Sequence, residues 1–243
     1  MNSIFYFAAP QRFYPLAGRL IPGLWLAAAV LGALGLYLGL VRAPVDAQQG
    51  QAYRIIFVHV PAAWMSMLIY LAMAGWAGVG LVFNSRLASM MACALAPTGA
   101  IMTFLALWTG ALWGKPTWGT WWVWDARLTS ELVLLFLYVG FMALHGAIED
   151  VRRADRAAGL LALVGVVNVP IIYFSVKWWN TLHQGASISP SGVSMATPML
   201  VGMLVMTLAF WAYCIAAALV RVRLIILTRE QHTGWVQKTL EAP

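Results

Sequence analysis

Residues 118–125 read Trp-Gly-Thr-Trp-Trp-Val-Trp-Asp, four indoles in eight positions. A single Trp at a membrane boundary is ordinary, because its amphipathic ring settles at headgroup level. Four in one short segment, closed by an acid, ask for a further reason. Together they offer flat apolar faces rimmed by N–H donors, a surface that suits a large planar ligand. Two histidines sit nearby in character: His59, preceded by Tyr53-Arg54-Ile-Ile-Phe-Val and followed by Val60-Pro61, and His183, preceded by Trp178-Trp179-Asn180-Thr-Leu and followed by Gln184-Gly185. Neutral imidazole is a metal ligand and a common axial ligand of haem iron. Two imidazoles beside an indole shelf are what a bis-ligated porphyrin requires, if the chain brings them to one place. Taken alone, either ring is more simply a solvated or carbonyl-bonded interfacial histidine.

The elements that must position these groups are membrane spans. Hydrophobic residues make up 62% of the 243 and charged residues 9%, against roughly 25% charged in an ordinary globular domain. Several uncharged apolar runs exceed the roughly 18 residues that mark a span. The pattern predicts an all-α polytopic membrane protein with six transmembrane helices, at 20–41, 56–83, 90–113, 128–148, 158–176 and 198–220, the last continuing toward 227. The first run leads to Arg42 without a small-residue cleavage site, so it reads as a retained span and not a signal peptide. No repeat or linker divides the chain. Residues 1–243 are expected to form one domain, with the Trp-rich loop at 114–127. The second stretch, at 1.5 Å per residue, makes a helix of about 42 Å against a hydrocarbon core near 30 Å. Its outer end should project into the interface. Pro61 fits the first turn of that helix and would fix the angle of His59. Asn168 and Pro170 predict a kink in the fifth span with a polar group turned toward other helices.

Six spans place both termini on one side. Of the fifteen Lys and Arg, ten lie on the termini and the even loops, and five (Arg42, Arg54, Lys115, Arg127, Lys177) on the odd loops. The positive-inside rule then makes both termini cytoplasmic and turns the Trp-rich loop and the loops 42–55 and 177–197 outward. The formal charge of +7 therefore reports orientation, since no basic run has the aromatic interleaving of a nucleic-acid face. His59 and His183 share the outer face. His145 and His232 fall on the inner one.

Other residues on the outer face leave alternatives open. Arg54 and Arg127 could bind the two carboxylates of a porphyrin, because a guanidinium takes a carboxylate in bidentate fashion. For Arg127 a local ion pair with Asp125 is as good a reading. Lys115 and Lys177 are better read as boundary cations snorkelling to water. Asp125 could orient a ligating imidazole, cap the fourth helix or pair with Arg127, and a structural role that shapes the loop is favoured. Glu131 is expected in the first turn of the fourth span, where the helix dipole favours an anion. Trp178 and Trp179 are either interfacial belt or a second wall of the same pocket. Cys93 and Cys214 lie in apolar runs with no CxxC spacing and read as small hydrophobes.

On these residues the chain resembles the haem-handling protein family. The motif Trp118-Gly119-x-x-Trp122-x-Trp124-Asp125, its extension through Arg127 to Glu131, and the contexts of His59 and His183 carry the resemblance, which covers nearly the whole chain. Within that family the six-span members are the haem exporter C components of bacterial cytochrome c maturation. The resemblance implies that His59 and His183 are the axial ligands of haem b at the periplasmic face of the bacterial inner membrane. It implies that Trp118, Trp122, Trp124 and Asp125 form the platform for haem and for a membrane-anchored haem chaperone, the E component. Delivery to that chaperone, whose own histidine bonds to a haem vinyl group, would serve c-type cytochrome maturation. A single-span D component and the A and B components of an ATP-binding cassette transporter are the further implied partners. Larger relatives carry more spans and a second histidine pair; here one haem site is expected.

Other function classes fare less well. A conducting transporter should show paired broken helices or a central row of polar residues, and the sequence offers neither. An electron carrier of the cytochrome b kind needs histidine pairs at both faces. An integral enzyme needs a nucleophile set, a metal cluster or a phosphate loop, and none is recognisable. Any part in covalent haem attachment would be positional.

Overall fold

The computed structural model describes residues 6–185, 188–189 and 192–241. Six helical stretches are long and apolar enough to cross a membrane: Pro10–Arg42, Ala52–Phe83, Arg86–Trp118, Ala126–Ala147, Val151–Trp178 and Thr197–Arg229. The all-α, six-span expectation holds. Helix α1 (Pro10–Tyr37) closes in a π-helical turn. Helix α2 (Ile56–Phe83) is entered through a single 3-10 turn at Ala52–Ile55. Helices α3 (Arg86–Trp118) and α4 (Ala126–Ala147) follow, then α5 (Val151–Gly165) and α6 (Asn168–Trp178), and finally α7 (Thr197–Arg229) and the short α8 (Gly234–Glu241). A two-residue antiparallel ladder, Ile188–Ser189 with Gly192–Val193, lies in the loop before α7.

Several boundaries differ from the hydropathy reading, each for a physical reason. Helix α1 begins at Pro10, in the first-turn position where a missing N–H costs nothing. Arg12 and Arg19 interrupt the apolar run but are good helix formers, so the helix starts well before the apolar stretch does. Helix α3 runs to Trp118 and takes the first indole of the motif with it. It stops there because Gly119 adopts a left-handed φ of 80°, and its N–H bonds back to the Lys115 carbonyl. The Trp-rich loop is thus shorter than 114–127. Because a 3-10 turn precedes α2, Pro61 falls in the second turn and not the first. The fifth span breaks at Val166–Val167. Pro170 can neither donate to nor pack under the Val166 carbonyl, four residues back. Asn168 faces a neighbour as expected, its Nδ2 donating to the Ser130 carbonyl at 2.8 Å.

Helix α2 packs along α3, α1 lies along α7, and α4 lies against α3, α5 and α6. The main core gathers on Tyr70, Met73, Leu134, Tyr138 and Ile172. Tyr138 is satisfied there by donating to the Ser66 carbonyl at 2.8 Å. Helix α1 is peripheral, and Leu26, Val30 and Leu34 are exposed along it. A second cluster joins Ala17 of α1 to Val222 and Ile226 of α7, with Tyr14 edge-on to Trp235 of α8 at 5.9 Å. The start of α1, the end of α7 and α8 therefore lie together at one end of the bundle. The opposite end is closed by Ala43, Tyr53, Phe57, Met199 and Met203. The Trp-rich loop and both candidate ligands are at that second end.

Candidate functional site

His59 is the fourth residue of α2. It faces α3, where Gly110 leaves room: a Cβ built there would come within 3.1 Å of the imidazole. Its Nδ1 lies 3.0 Å from Thr109 Oγ1. That hydroxyl donates its one hydrogen to the Leu105 carbonyl at 2.6 Å, so toward His59 it can only accept. Nδ1 therefore carries the proton, and Nε2 keeps its lone pair with no hydrogen-bond partner among the described residues. Trp113, one turn beyond Thr109, packs edge-on to the ring at 5.6 Å and is held by Nε1 donating to Gln49 Oε1 at 2.7 Å.

His183 reaches the same place from the loop after α6. Its Nδ1 is 2.8 Å from the Gln184 carbonyl, which only accepts, so the same tautomer follows, and Nε2 has no hydrogen-bond partner among the described residues. Burial, with the Arg127 charge adding to it, lowers the His183 pKa below the ordinary imidazole value of 6.5; the Gln184 bond and Asp125 offset part of this. The ring stays neutral and ligand-competent. Asp125 positions the loop. One oxygen caps α4 by accepting from the Leu128 N–H at 2.8 Å, and the other accepts from the Thr181 hydroxyl. Thr181 Oγ1 in turn accepts from the His183 N–H at 3.0 Å. The favoured structural role of Asp125 is therefore what its contacts describe, and the tie to His183 is an addition to it.

The two imidazole centroids are 6.3 Å apart, with planes inclined by 35°. A metal–nitrogen bond of about 2 Å on each side, plus roughly 1 Å from nitrogen to ring centre, separates two trans imidazole centroids by about 6 Å. Trp118 stands edge-on to His183 at 6.2 Å. Trp122 and Trp124 meet edge to face at 5.3 Å. Trp122 keeps a buried Nε1 with no partner among the described residues. Trp124, 76% exposed, and Trp121, 53% exposed, face outward.

The remaining candidates sort by their bonds. Arg127 Nη1 donates to the Ile172 carbonyl at 2.9 Å; among the described residues it makes no ion pair with Asp125. Its charge acts on His183, so it borders the pair. Arg54 donates to the Gly39 carbonyl and, at 3.0 Å, to the Ala43 carbonyl at the end of α1, and its Nε donates to Gln51 just before its own turn. Lys115 donates to the Gly119 carbonyl at 3.2 Å. Trp178 stacks on Phe174 at 5.1 Å and touches Trp179 edge-on. Both are exposed and make no ring contact with the motif indoles among the described residues, which fits a belt. Glu131 is not the interfacial first-turn acid the sequence suggested. It is 7% exposed in the second turn of α4, and Ser66 Oγ donates to its Oε1 at 2.7 Å. Sequence reasoning passed over Thr109, Gly110 and Trp113. Their spacing of one, three and four on a single helix face was the available signal.

Fold and site together define a polytopic helical membrane protein with a paired-imidazole site, walled by indoles, at one end of its bundle. Comparison with known proteins narrows this. The chain matches the family described as "Heme exporter protein C" over residues 3–237. It is 50% identical over 238 residues to "Heme exporter protein C" of Escherichia coli (strain K12), covering 96% of this chain and 94% of the relative. It is 50% identical over 225 residues to the protein of that name from Bradyrhizobium diazoefficiens, covering 91% and 84%. It is 45% identical over 198 residues to a "Putative cytochrome c biosynthesis ccmC-like mitochondrial protein" of Marchantia polymorpha, covering 82% and 84%. The chain belongs to the Heme exporter protein C family.

Proposed function

We propose that this protein holds haem b at the outer end of its bundle, with His59 and His183 as axial ligands, and hands it to a periplasmic haem chaperone during c-type cytochrome maturation. The names of its relatives support haem export as the general role. The observation that carries the ligand assignment is the imidazole pair itself: two rings from distant parts of the chain, 6.3 Å apart, each with Nδ1 engaged and Nε2 without a hydrogen-bond partner among the described residues. Haem is cargo here, and the chain's task is to bind and present it. Trp118, Trp122 and Trp124 supply stacking area, and the Trp122 N–H offers a donor to an acceptor on the cargo. Arg127, beside the pair, is the residue we assign to a haem propionate. Arg54 is better explained as a brace for the end of α1.

In this reading the site faces the periplasm from a bacterial inner membrane, and both chain ends are cytoplasmic. The exposed faces of Trp121 and Trp124 would receive the chaperone, the E component. A single-span D component and the A and B components of an ATP-binding cassette transporter complete the assembly. The protein positions haem for attachment to its partner and catalyses nothing itself. The test is the absorption spectrum of the purified protein. His59→Ala and His183→Ala should each abolish the low-spin, six-coordinate haem spectrum, and His145→Ala should leave it unchanged. Wild-type spectra from both ligand variants would remove the assignment.

A further inference from the structure

A second cluster of metal-ligating side chains lies at the other end of the bundle. Cys93 of α3, His145 of α4 and Asp155 of α5 direct their ligand atoms to one point, all within 4.8 Å of one another. His145 Nε2 is 3.0 Å from Asp155 Oδ1, and Cys93 Sγ is 3.9 Å from the same oxygen. In a tetrahedral zinc site with bonds of about 2.0–2.3 Å, neighbouring ligand atoms stand roughly 3.3–3.8 Å apart. These three already approach that spacing. All three are half-buried, and the His145 ring is held by stacking on Phe141 at 6.5 Å with planes 16° apart. Asp155 also lines a cleft of about 400 Å³ that opens at this face beside Arg152 and Asn84, an entry route for an ion.

One cation already occupies the focus. Arg229, the last residue of α7, places Nη2 3.0 Å from His145 Nε2, 3.0 Å from Asp155 Oδ1 and 3.6 Å from Cys93 Sγ. Arg229 holds both carboxylate oxygens, its Nη1 donating to Asp155 Oδ2 at 2.9 Å, and the two hydrogens of Nη2 suffice for Asp155 Oδ1 and Cys93 Sγ, so His145 Nε2 is the donor in its contact with Asp155. A divalent ion at the focus would displace the guanidinium and the Nε2 proton and take a lone pair from each of Nε2, Sγ and the carboxylate.

We propose that Cys93, His145 and Asp155 form a binding site for a thiophilic divalent metal of the zinc class, with Arg229 as a built-in competitor that withdraws when the ion enters. Sulfur, imidazole and a carboxylate are a borderline donor set suited to zinc, and the fourth position is left to water. The guanidinium stands in for the ion when none is bound, so the acid is paired in both states. Exchange of Arg229 for metal would also release the end of α7 from α5. The site is independent of the haem-handling site at the opposite end.

Cobalt(II) provides the test, as a spectroscopic substitute for zinc. The full-length protein, purified in detergent and freed of any affinity tag, is titrated with Co²⁺ under reducing conditions. A thiolate-to-cobalt charge-transfer band in the near ultraviolet, with intense visible bands of a tetrahedral ion, is expected. Zn²⁺ should abolish both. Cys93→Ser should remove the charge-transfer band, and His145→Ala should weaken it. Arg229→Met, which removes the competing cation and keeps the side-chain volume, should tighten binding by about tenfold or more. The haem spectrum of each variant is recorded in parallel to show that the bundle is folded. Two results overturn the proposal: no thiolate band in either the wild type or folded Arg229→Met, or a band that survives Cys93→Ser. Neither result bears on His59 and His183.

Discussion

Thr109→Val tests the reasoning about the imidazole pair more sharply than removing a ligand. The substitution keeps the shape of the side chain and deletes one oxygen. That oxygen accepts from His59 Nδ1 at 3.0 Å, and among the described residues its other partners are the Leu105 and Ala106 carbonyls of its own helix. The backbone therefore loses nothing it needs. His59 loses the acceptor that holds the proton on Nδ1, and the ring becomes free to turn or to place the proton on Nε2, where it blocks ligation. One such bond contributes about 0.5–1.5 kcal/mol net, and 1.4 kcal/mol is tenfold in affinity. Loss of the partner of a ligating histidine costs about 10–100-fold in metal sites. The two ranges overlap near tenfold. Haemin titration of the purified protein, followed in the Soret region, should show about tenfold weaker binding for Thr109→Val and near-wild-type binding for Thr109→Ser, which restores the hydroxyl. Equal affinity in Val, Ser and wild type would mean that Thr109 neither sets the tautomer nor presents Nε2.

Further expectations follow from single contacts. Asp125→Ala removes the α4 cap and the Thr181 bond together; a lost cap alone costs about 1 kcal/mol, so denaturant unfolding should show at least that loss, with Asp125→Asn recovering much of it. Trp124→Ala touches an exposed ring and should change stability by less than about 0.5 kcal/mol while lowering haem loading onto the chaperone, measured as covalently bound haem on the partner. The lowered pKa of His183 sets a pH direction. A depressed imidazole contributes stability that is full above the unfolded value near 6.5 and declines as pH falls toward the folded value. Haem retention should therefore persist through the ordinary imidazole range and fail below it, and Arg127→Gln, which removes one lowering cause, should move that failure to higher pH in a retention-versus-pH profile. His183→Ala should keep weak, high-spin haem, whereas His59→Ala should lose more; equal losses would contradict the difference in how the two rings are held.

Much of the fold was legible because a membrane span is written in composition. Lipid demands a helix whose every residue is apolar enough, and that constraint does not depend on neighbours. The helix ends were less legible because hydropathy registers lipid contact and not backbone hydrogen bonding. Pro10 and Gly119 set two ends by local chemistry that an apolar run does not reveal. His59 and His183 stood out by residue type and setting, and topology placed them on one face. What holds them did not stand out. Thr109 is a common residue in an apolar helix, and only the fold shows that it stands opposite His59. Glu131 was misplaced for a related reason: its burial depends on α2 bringing Ser66 to it. Cys93 was read as a small hydrophobe because its polar neighbours come from three other helices.

The two imidazoles are held in different ways, and under the proposed function the difference would suit a carrier that must release its cargo. His59 belongs to a helix packed along α3, and its ring is fixed by a hydroxyl that is itself fixed by that helix. Moving it means moving two long helices. His183 belongs to a loop, and among the described residues its ring bonds to the adjacent Gln184 carbonyl, a partner that travels with it. What ties the loop to the bundle at this point is the Asp125–Thr181 contact. Asp125 also ends the Trp-rich segment, whose outermost indole is the most exposed of the motif. Under the proposed function, a partner docked on Trp124 would press on the residue next to Asp125, which anchors the His183 loop, and docking and release would be coupled through that acid without movement of the transmembrane core, because loops open at far lower free energy than packed helices do.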